Sequence, residues 1–286
     1  ITGCVGGTGA AGVVLSGLEA LEYRGYDSAG LAAPRNGELL VRRVCGRVAD
    51  LRAATNGTVS AADSAIGHTR WATHGAPSVR NAHPHTDAGG RLAVVHNGIV
   101  ENHRELRREL EASGVELLSD TDTEVIAHLV RRHLDAGMGL AAAVRAATRE
   151  VRGSFALAVI SADHPGTIVA ARRASPMALG LSRGRNMVAS DALALAAHTR
   201  RIVYLEDDDL AVLTAEKVEV FDRDDRPAER PVAEITWDAI AVAKDGYEHF
   251  MLKEIHEQPD AVENTLRGRL PGSAVDLGEE LPSSIL

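Results

Sequence analysis

The sequence predicts an α+β domain in which two packed β-sheets are covered by helices. Short apolar runs of strand length flank a central stretch, residues 102–152, whose apolar residues recur at helical spacing. Turn residues separate the apolar runs that follow this stretch, which is typical of an antiparallel sheet. Because sheets and amphipathic helices must each bury an apolar side against another layer, we expect two sheets with helices outside them.

The core of this domain is predicted to be aliphatic. Hydrophobic residues make up 45% of the 286 residues, whereas aromatic residues make up only 3%. Ala, Val, Leu and Ile must therefore supply most of the buried surface. The length suits one large domain, or one domain followed by a tail.

The first sixty residues predict a strand, a helix, a hairpin and a second helix. Residues 1–6 form a short apolar segment with glycines, which favours a buried strand. Residues 10–22 carry apolar side chains at helical spacing. Asn36-Gly37 is a hairpin signal between two strands, and a short helix is predicted near 47–54.

The next segments alternate between strands and a long loop. Residues 64–71 read as a strand, and residues 73–90, rich in Pro, His, Asn and Gly, predict a loop. Loops of this length inside compact domains are usually functional. Residues 92–95 predict a buried strand, with His96-Asn97-Gly98 placed at its end.

The remaining elements follow from the same patterns. Helices are predicted over 102–113, 122–136 and 139–152, with Thr121 or Asp122 as the cap of the second. A further short helix is predicted near 191–197. The apolar runs of the last part predict strands over 155–160, 167–171, 177–181, 187–189, 201–205, 210–213 and 217–221.

The bulk properties exclude several classes of function. The net charge of −9 argues against a nucleic-acid partner, which would require a clustered basic face. No apolar run approaches the roughly 18 residues of a membrane span, and the first residues do not show the basic-then-apolar pattern of a signal segment. Cys4 and Cys45 are the two cysteines, which suits a reducing cytosol, and no cysteine–histidine spacing indicates a metal site. We expect a cytoplasmic protein that uses no metal or cofactor and binds neither nucleic acid nor membrane.

Four polar segments stand apart from the core pattern. They are residues 21–30, which contain Glu-Tyr-Arg-Gly-Tyr-Asp, residues 68–75 (His-Thr-Arg-Trp-Ala-Thr-His-Gly), residues 95–98 (Val-His-Asn-Gly) and residues 119–124 (Ser-Asp-Thr-Asp-Thr-Glu). They crowd arginine, aromatic, hydroxyl, carboxylate and glycine residues into stretches that cannot be buried without dedicated partners.

Together these segments resemble the glutaminase domain of the glutamine–fructose-6-phosphate aminotransferases (glucosamine-6-phosphate synthases). That domain is a class II glutamine amidotransferase of the N-terminal-nucleophile type, and the resemblance covers nearly the whole chain. It implies a four-layer αββα sandwich of two antiparallel sheets and hydrolysis of L-glutamine without a cofactor. The ammonia would serve the synthesis of glucosamine 6-phosphate from fructose 6-phosphate in the hexosamine pathway.

The start of the chain departs from this family. The family's nucleophile is a cysteine at the beginning of a Cys-Gly-Ile-Val-Gly opening, whereas this chain begins Ile-Thr-Gly-Cys-Val-Gly. Matching Thr2 to the nucleophile requires a three-residue deletion before Tyr23, whereas matching Ile1 to the family's third residue requires no gap. The ungapped alignment predicts that the catalytic cysteine lies just upstream of Ile1, and that Thr2 and Cys4 are ordinary strand residues. The α-amino group of such a cysteine can act as its base, because its pKa is close to neutral.

The residues expected to recognise glutamine follow from the chemistry of this substrate and from the resemblance. Asn97 and Gly98 are the oxyanion candidates, since an amide and a glycine N–H can both donate to a negative oxygen; the alternative is a plain Asn-Gly turn. The resemblance assigns Arg70 to the α-carboxylate and Asp122 to the α-ammonium of glutamine. The alternatives are a surface arginine and a helix cap, and one aspartate can serve as both cap and ligand.

The resemblance also implies supporting residues. Trp71, Thr73 and His74 would line the glutamine pocket, and Trp71 would gate the ammonia passage; a lone tryptophan is otherwise usually a core residue. His83 lies in the long loop expected to close over glutamine, with an exposed loop histidine as the alternative. Arg24 and Tyr26 are expected to brace the nucleophile strand, or else only to pack at a helix end.

We expect residues 1–243 to form the glutaminase domain. Residues 244–286 contain Lys-Glu-Ile-His-Glu-Gln-Pro (253–259), which resembles the linker toward the family's sugar-phosphate isomerase domains. Those domains, absent from this chain, would bind fructose 6-phosphate, and the full-length enzyme would form a homo-oligomer. Two alternatives stay open: a glutaminase serving another acceptor, as in amidophosphoribosyltransferase, asparagine synthetase or glutamate synthase, and a nucleophile-less protein that only binds glutamine.

Overall fold

The computed structural model describes residues 1–56, 58–59, 61–71, 76–235, 247 and 250–266. The chain divides into two compact units, Ile1–Trp237 and Asp238–Leu286. The predicted boundary between residues 243 and 244 lies outside the described residues.

The first unit begins with strands and helices close to the predicted ones. The elements up to the central helices are β1 (Thr2–Val5), α1 (Ala10–Leu21), a 3₁₀ turn (Glu22–Arg24), β2 (Ser28–Arg35), β3 (Glu38–Val44), α2 (Val48–Thr55), β4 (Ser64–Arg70), β5 (His85–Thr86) and β6 (Leu92–Val100).

Three helices and a second series of strands complete this unit. They are α3 (His103–Ala112), α4 (Glu124–Asp135), α5 (Leu140–Glu150), β7 (Gly153–Ser161), β8 (Ile168–Arg173), β9 (Ala178–Ser182), β10 (Arg185–Ala189), a 3₁₀ turn (Ala192–Ala194), β11 (Arg201–Tyr204), β12 (Leu210–Leu213), β13 (Val218–Phe221) and β14 (Val232–Glu234).

The strands form two sheets whose paired neighbours are antiparallel. One sheet has eight strands in the order β14-β11-β9-β10-β1-β4-β2-β3, and the other has six in the order β13-β12-β8-β7-β6-β5. The predicted class, a sandwich of two antiparallel sheets with helices, is confirmed. The expectation that the four apolar runs 155–160, 167–171, 177–181 and 187–189 form an antiparallel sheet together is wrong, because β7 and β8 belong to the six-stranded sheet and β9 and β10 to the eight-stranded one.

Three apolar layers separate the four layers of secondary structure. One cluster packs α1 and α2 on the eight-stranded sheet, a second packs α3, α4 and α5 on the six-stranded sheet, and a third fills the space between the sheets. Strand β1 shows how the alternation of side chains produces this arrangement. Ile1 and Val5 face the other sheet, whereas Cys4 faces α1.

Strand β6 is longer than predicted, and this matters for the site. It continues to Val100, so Asn97 and Gly98 lie inside the strand, opposite Ala156 and Phe155 of β7. The prediction that they follow the end of a strand is wrong, and so is the alternative of a hairpin turn. The long loop contains the two-residue strand β5, which pairs with β6.

The second unit is described only in part. It contains helix α6 (Phe250–Leu266), in which the side chains of Met251 and Ile255 are exposed. The ring of Tyr247 stacks on that of His256 at a centroid distance of 5.4 Å. Among the described residues, none of the helices has the length and apolar character that a membrane span requires.

Candidate active site

A cavity of about 260 Å³ lies where the two sheets approach each other. The eight-stranded sheet contributes Ile1 beside β1 and residues 68–71 at the end of β4. The six-stranded sheet contributes residues 96–98 of β6, and the segment before α4 contributes residues 121–123. Arg24, from residues 21–30, lines the cavity as well, so all four polar segments of the sequence meet at one place.

Arg70 and Asp122 place opposite charges in this cavity. Arg70 is the last residue of β4, and its burial lowers its pKa, while the carboxylates of Asp122 and Asp27 raise it again. Asp122 is buried, and its Oδ2 accepts the backbone N–H of Val100 at 2.8 Å. That hydrogen bond fixes the carboxylate at the end of β6.

Asp122 is not the cap of α4. The helix begins at Glu124, the preceding residue is Thr123, and no side chain caps its first turn. The predicted capping role of Thr121 or Asp122 is therefore wrong, and the Asp122 carboxylate instead accepts the N–H of Val100. The alternative of a surface arginine is also wrong for Arg70, which is buried.

Asn97 and Gly98 line the cavity from the middle of a regular strand pair. Gly98 has φ +124°, and a Cβ at this position would lie 2.2 Å from the carbonyl oxygen of Ser154. Only glycine allows β6 and β7 to approach so closely here. The Oδ1 of Asn97 lies 2.8 Å from Nε2 of His68, a contact that crosses from one sheet to the other.

Aromatic and charged residues surround the opening. Trp71 is 54% exposed, so it is not a core residue, and its ring makes a T-shaped contact with that of Tyr26, with centroids 5.7 Å apart and an interplanar angle of 70°. Arg24 lines the cavity beside Ile1 and pairs with Asp191 at 2.9 Å. Arg24 therefore lies close to the first strand as expected, whereas the ring contact of Tyr26 is with Trp71.

The long loop places its histidines inside the protein. His83 lines the cavity and is 5% exposed, and His85 is buried as well, so the alternative of exposed loop histidines is wrong. Burial lowers the pKa of His83 well below its usual value and that of His85 to about 3. Both imidazoles are therefore neutral near pH 7. Thr73 and His74, predicted to line the pocket, lie outside the described residues.

Neither Thr2 nor Cys4 presents its side chain to the cavity. The hydroxyl of Thr2 donates to the carbonyl oxygen of Val14 in α1 at 3.0 Å. Cys4 is fully buried in the cluster that packs α1 on the sheet, and burial raises the pKa of its thiol to about 11. A buried, protonated thiol behaves as a small apolar side chain. Both residues have the packing role that the ungapped alignment predicts.

The structure adds residues that the sequence did not single out as functional. His68, His96, Thr121, Thr123 and Ser190 also line the cavity. Nδ1 of His96 lies 2.8 Å from the hydroxyl of Thr123, which joins β6 to the segment before α4. The relevant signal was present, because most of these residues lie inside the four polar segments. Their partners, however, come from distant parts of the chain.

Comparison with known proteins agrees with this picture. Residues 68–197 match the family model described as a glutamine amidotransferase domain. Glutamine–fructose-6-phosphate aminotransferase (isomerizing) of Methanosarcina acetivorans is 46% identical over 283 residues, covering 94% of this chain and 45% of that protein. The enzyme of the same name from Mycobacterium tuberculosis is 47% identical, covering 98% of this chain and 47% of that protein. The chain thus spans about half the length of these relatives.

Solved structures support the fold. Glutamine phosphoribosylpyrophosphate amidotransferase from B. subtilis, complexed with ADP and GMP, superimposes with a TM-score of 0.67 over 78% of this chain and 48% of that one, at 23% identity. A glutamine aminotransferase class-II domain protein from Silicibacter pomeroyi gives a TM-score of 0.52 and 17% identity, covering 77% of this chain and 97% of that one. At these identities the likeness concerns the fold alone.

Proposed function

The chain belongs to the glutamine amidotransferase family, and we propose that it is the glutaminase part of a glutamine–fructose-6-phosphate aminotransferase. The observation that carries the proposal is the pairing, within one cavity, of Arg70 and Asp122 with Asn97 and Gly98. Glutamine needs a cation for its α-carboxylate, an anion for its α-ammonium and donors for its reacting amide. The cavity offers all three.

In the proposed reaction, a cysteine thiolate attacks the side-chain amide carbon of glutamine. The carbonyl oxygen becomes an oxyanion, to which the Asn97 amide and the Gly98 backbone N–H donate. The C–N bond then breaks, the nitrogen takes a proton and leaves as ammonia, and a thioester remains. Water hydrolyses the thioester to glutamate and restores the thiol.

We assign the nucleophile to a cysteine whose backbone precedes Ile1. Two observations support this assignment. Ile1 lines the cavity just before the start of β1, so a residue attached ahead of it would lie next to the same space. The thiol of Cys4 and the hydroxyl of Thr2 are both directed to α1.

The acceptor and the rest of the enzyme belong to the same proposal. The names of the relatives, at 46–47% identity, favour fructose 6-phosphate as acceptor and glucosamine 6-phosphate as product. Residues 244–286 would then lead from the glutaminase domain to isomerase domains that bind the sugar phosphate. The enzyme would act in the cytoplasm as a homo-oligomer.

The proposal is tested by adding Cys-Gly ahead of Ile1, with the initiator methionine removed, and measuring ammonia release from L-glutamine. We expect the extended chain to hydrolyse glutamine, and Ser-Gly in place of Cys-Gly to abolish turnover. The Cys4→Ala change in the extended chain should leave kcat within a few fold. A loss of about 1,000-fold from Cys4→Ala would show that Cys4 is the nucleophile. Glutamine binding without turnover by the extended chain would favour a protein that only binds glutamine.

A further inference from the structure

We propose that His68 is a positioning residue that orients the side-chain amide of Asn97, so that its NH₂ group and not its oxygen faces the cavity. The inference deepens the proposed glutaminase function and rests on it. It assigns a task to a buried histidine that neither holds glutamine nor supplies the nucleophile.

The contact joins the two sheets. His68 lies on β4 of the eight-stranded sheet, and Asn97 lies on β6 of the six-stranded sheet. Their side chains meet at 2.8 Å, between Nε2 of the imidazole and Oδ1 of the amide. His68 of β4, the strand paired with β1, therefore holds the Asn97 amide of β6 in place.

The tautomer of His68 follows from its surroundings. Nε2 faces the Asn97 amide, where a hydrogen on Nε2 can be donated to Oδ1, an atom that only accepts hydrogen bonds. Nδ1 of His68 is buried and has no hydrogen-bond partner within the described part of the chain. A hydrogen on Nδ1 would be an unsatisfied buried donor, which is costly. The neutral ring with hydrogen on Nε2 is therefore the favoured form, and burial lowers the pKa of His68 well below its usual value.

This tautomer decides which way the Asn97 amide points. With Oδ1 held by His68, the NH₂ group is left for the cavity that Asn97 lines. The amide turned by 180° would place its oxygen toward the cavity and two N–H groups against each other at His68. An oxygen facing the developing oxyanion would repel it, whereas the NH₂ group stabilises it.

His83 fixes the position of the His68 ring. The two rings lie against each other with centroids 4.2 Å apart and are tilted by 31°. Nδ1 of His83 accepts the backbone N–H of His96 at 3.3 Å, which ties the loop to β6 next to Asn97. At Gly30, the residue paired with His68 on β2, a Cβ would lie 2.0 Å from the carbonyl oxygen of His83, so the loop backbone rests directly on the sheet.

The test compares variants of the glutaminase with Cys-Gly ahead of Ile1. His68→Leu removes the donor to Asn97 and should lower kcat about 100-fold, the scale of one oxyanion donor, with KM within a few fold. His68→Gln can still donate through its amide nitrogen and should retain kcat within about tenfold. His128→Leu, an equally buried histidine of α4 outside the cavity, is the matched control and should leave kcat unchanged.

A double variant separates positioning from general packing. If His68 acts through Asn97, adding His68→Leu to Asn97→Ala should lower kcat no further than Asn97→Ala alone. Multiplying losses would overturn the inference, as would an unchanged kcat in His68→Leu. If the unsubstituted glutaminase releases no ammonia, the proposed function falls, and the catalytic part of this inference falls with it.

A measurement independent of activity and of any substitution completes the test. Long-range ¹H–¹⁵N spectra of the chain itself report which imidazole nitrogen of His68 carries hydrogen. We expect hydrogen on Nε2. Hydrogen on Nδ1 would overturn the inference even if His68→Leu were inactive or failed to fold.

Discussion

Two concave regions of the first unit use buried polar residues in different ways. One is the cavity between the sheets, and the other is a cleft beside α5 lined by Arg145, Arg149, Arg173 and Asp208, which we name the arginine cleft. In the arginine cleft, Nε of Arg145 donates to Asp225 at 2.7 Å, and Nη1 donates to the carbonyl oxygen of Asp208 at 2.7 Å. These donors hold loops of the protein together.

In the cavity, hydrogen bonds orient side chains instead. His68 holds the Asn97 amide, and the N–H of Val100 holds the Asp122 carboxylate. The difference shows that charged side chains in a concave surface do not by themselves identify a binding site. What distinguishes the cavity is that fixed groups of complementary chemistry face one small volume.

The largest expected effect is a loss of turnover when a residue that lines the cavity is substituted. Asn97→Ala in the glutaminase with Cys-Gly ahead of Ile1 should lower kcat about 100- to 1,000-fold, because the amide donates mainly in the transition state. KM for glutamine should change little. Steady-state ammonia release decides the matter.

The matched control for Asn97→Ala is Asn186→Ala. Asn186 is also buried, but its Nδ2 donates to the carbonyl oxygen of Thr214, away from the cavity. This variant should lose stability and keep kcat. If Asn97→Ala weakens glutamine binding while turnover stays normal, the oxyanion assignment is wrong.

The next largest effect is a loss of stability when an arginine of the arginine cleft is substituted. Arg145→Met removes a guanidinium that is 8% exposed, and we expect it to lower the free energy of unfolding by about 2–3 kcal/mol, since its partners lose their donor. Arg149→Met removes an ion pair with the same Asp225, but Arg149 is 57% exposed, so we expect a loss below about 1 kcal/mol. Urea denaturation measures both, and equal losses would contradict the comparison.

A comparable, pH-dependent effect is expected at Glu124. Burial opposes ionisation of this carboxyl, but the His128 ring, whose Nε2 lies 3.7 Å from Oε1, and the hydrogen bonds from Ser119 and Leu118 outweigh it and lower its pKa from 4.5 to about 2. A lowered pKa stabilises the fold above the unfolded-state pKa, and this stabilisation is lost as pH falls through the folded-state value. At about 1.4 kcal/mol per pKa unit, Glu124→Gln should therefore cost about 3 kcal/mol at pH 7.

The pH dependence of this cost provides the check. The difference in free energy of unfolding between the chain and Glu124→Gln should shrink as pH falls from about 4.5 toward 2. Denaturation at pH 7, 5 and 3 measures it. A difference that stays constant over this range would show that the carboxylate is not preferentially stabilised in the fold.

Local sequence patterns predicted many of the strands and helices. The hairpin signal at Asn36-Gly37 lies between β2 and β3, and the helical spacing of residues 10–22 corresponds to α1. Strand β14 escaped prediction because its three residues are exposed and carry no alternating apolar signal. Which sheet each late strand joins depends on pairing between distant segments, which no local pattern contains.

The sequence predicted which residues line the site, but not the contacts that hold them in position. Arg70, Asp122, Asn97 and Gly98 do meet at one cavity, as the polar segments and the resemblance implied. An Asn-Gly pair is ordinarily a turn signal, so its place inside β6 required the close approach to Ser154 to explain it. The burial of His83 depends on contacts from three different segments of the chain, which the sequence alone cannot combine.

The most direct test of the central claim, that this cavity recognises glutamine, is the calorimetric affinity of the chain for L-glutamine. We expect the chain to bind glutamine, and Arg70→Ala and Asp122→Ala each to weaken binding about 10- to 100-fold, the scale of a lost charged hydrogen bond. Arg149→Ala, in the arginine cleft, should leave the affinity unchanged. Glutamine binding that is equally strong in all of these variants, or absent in the unsubstituted chain, would contradict the account.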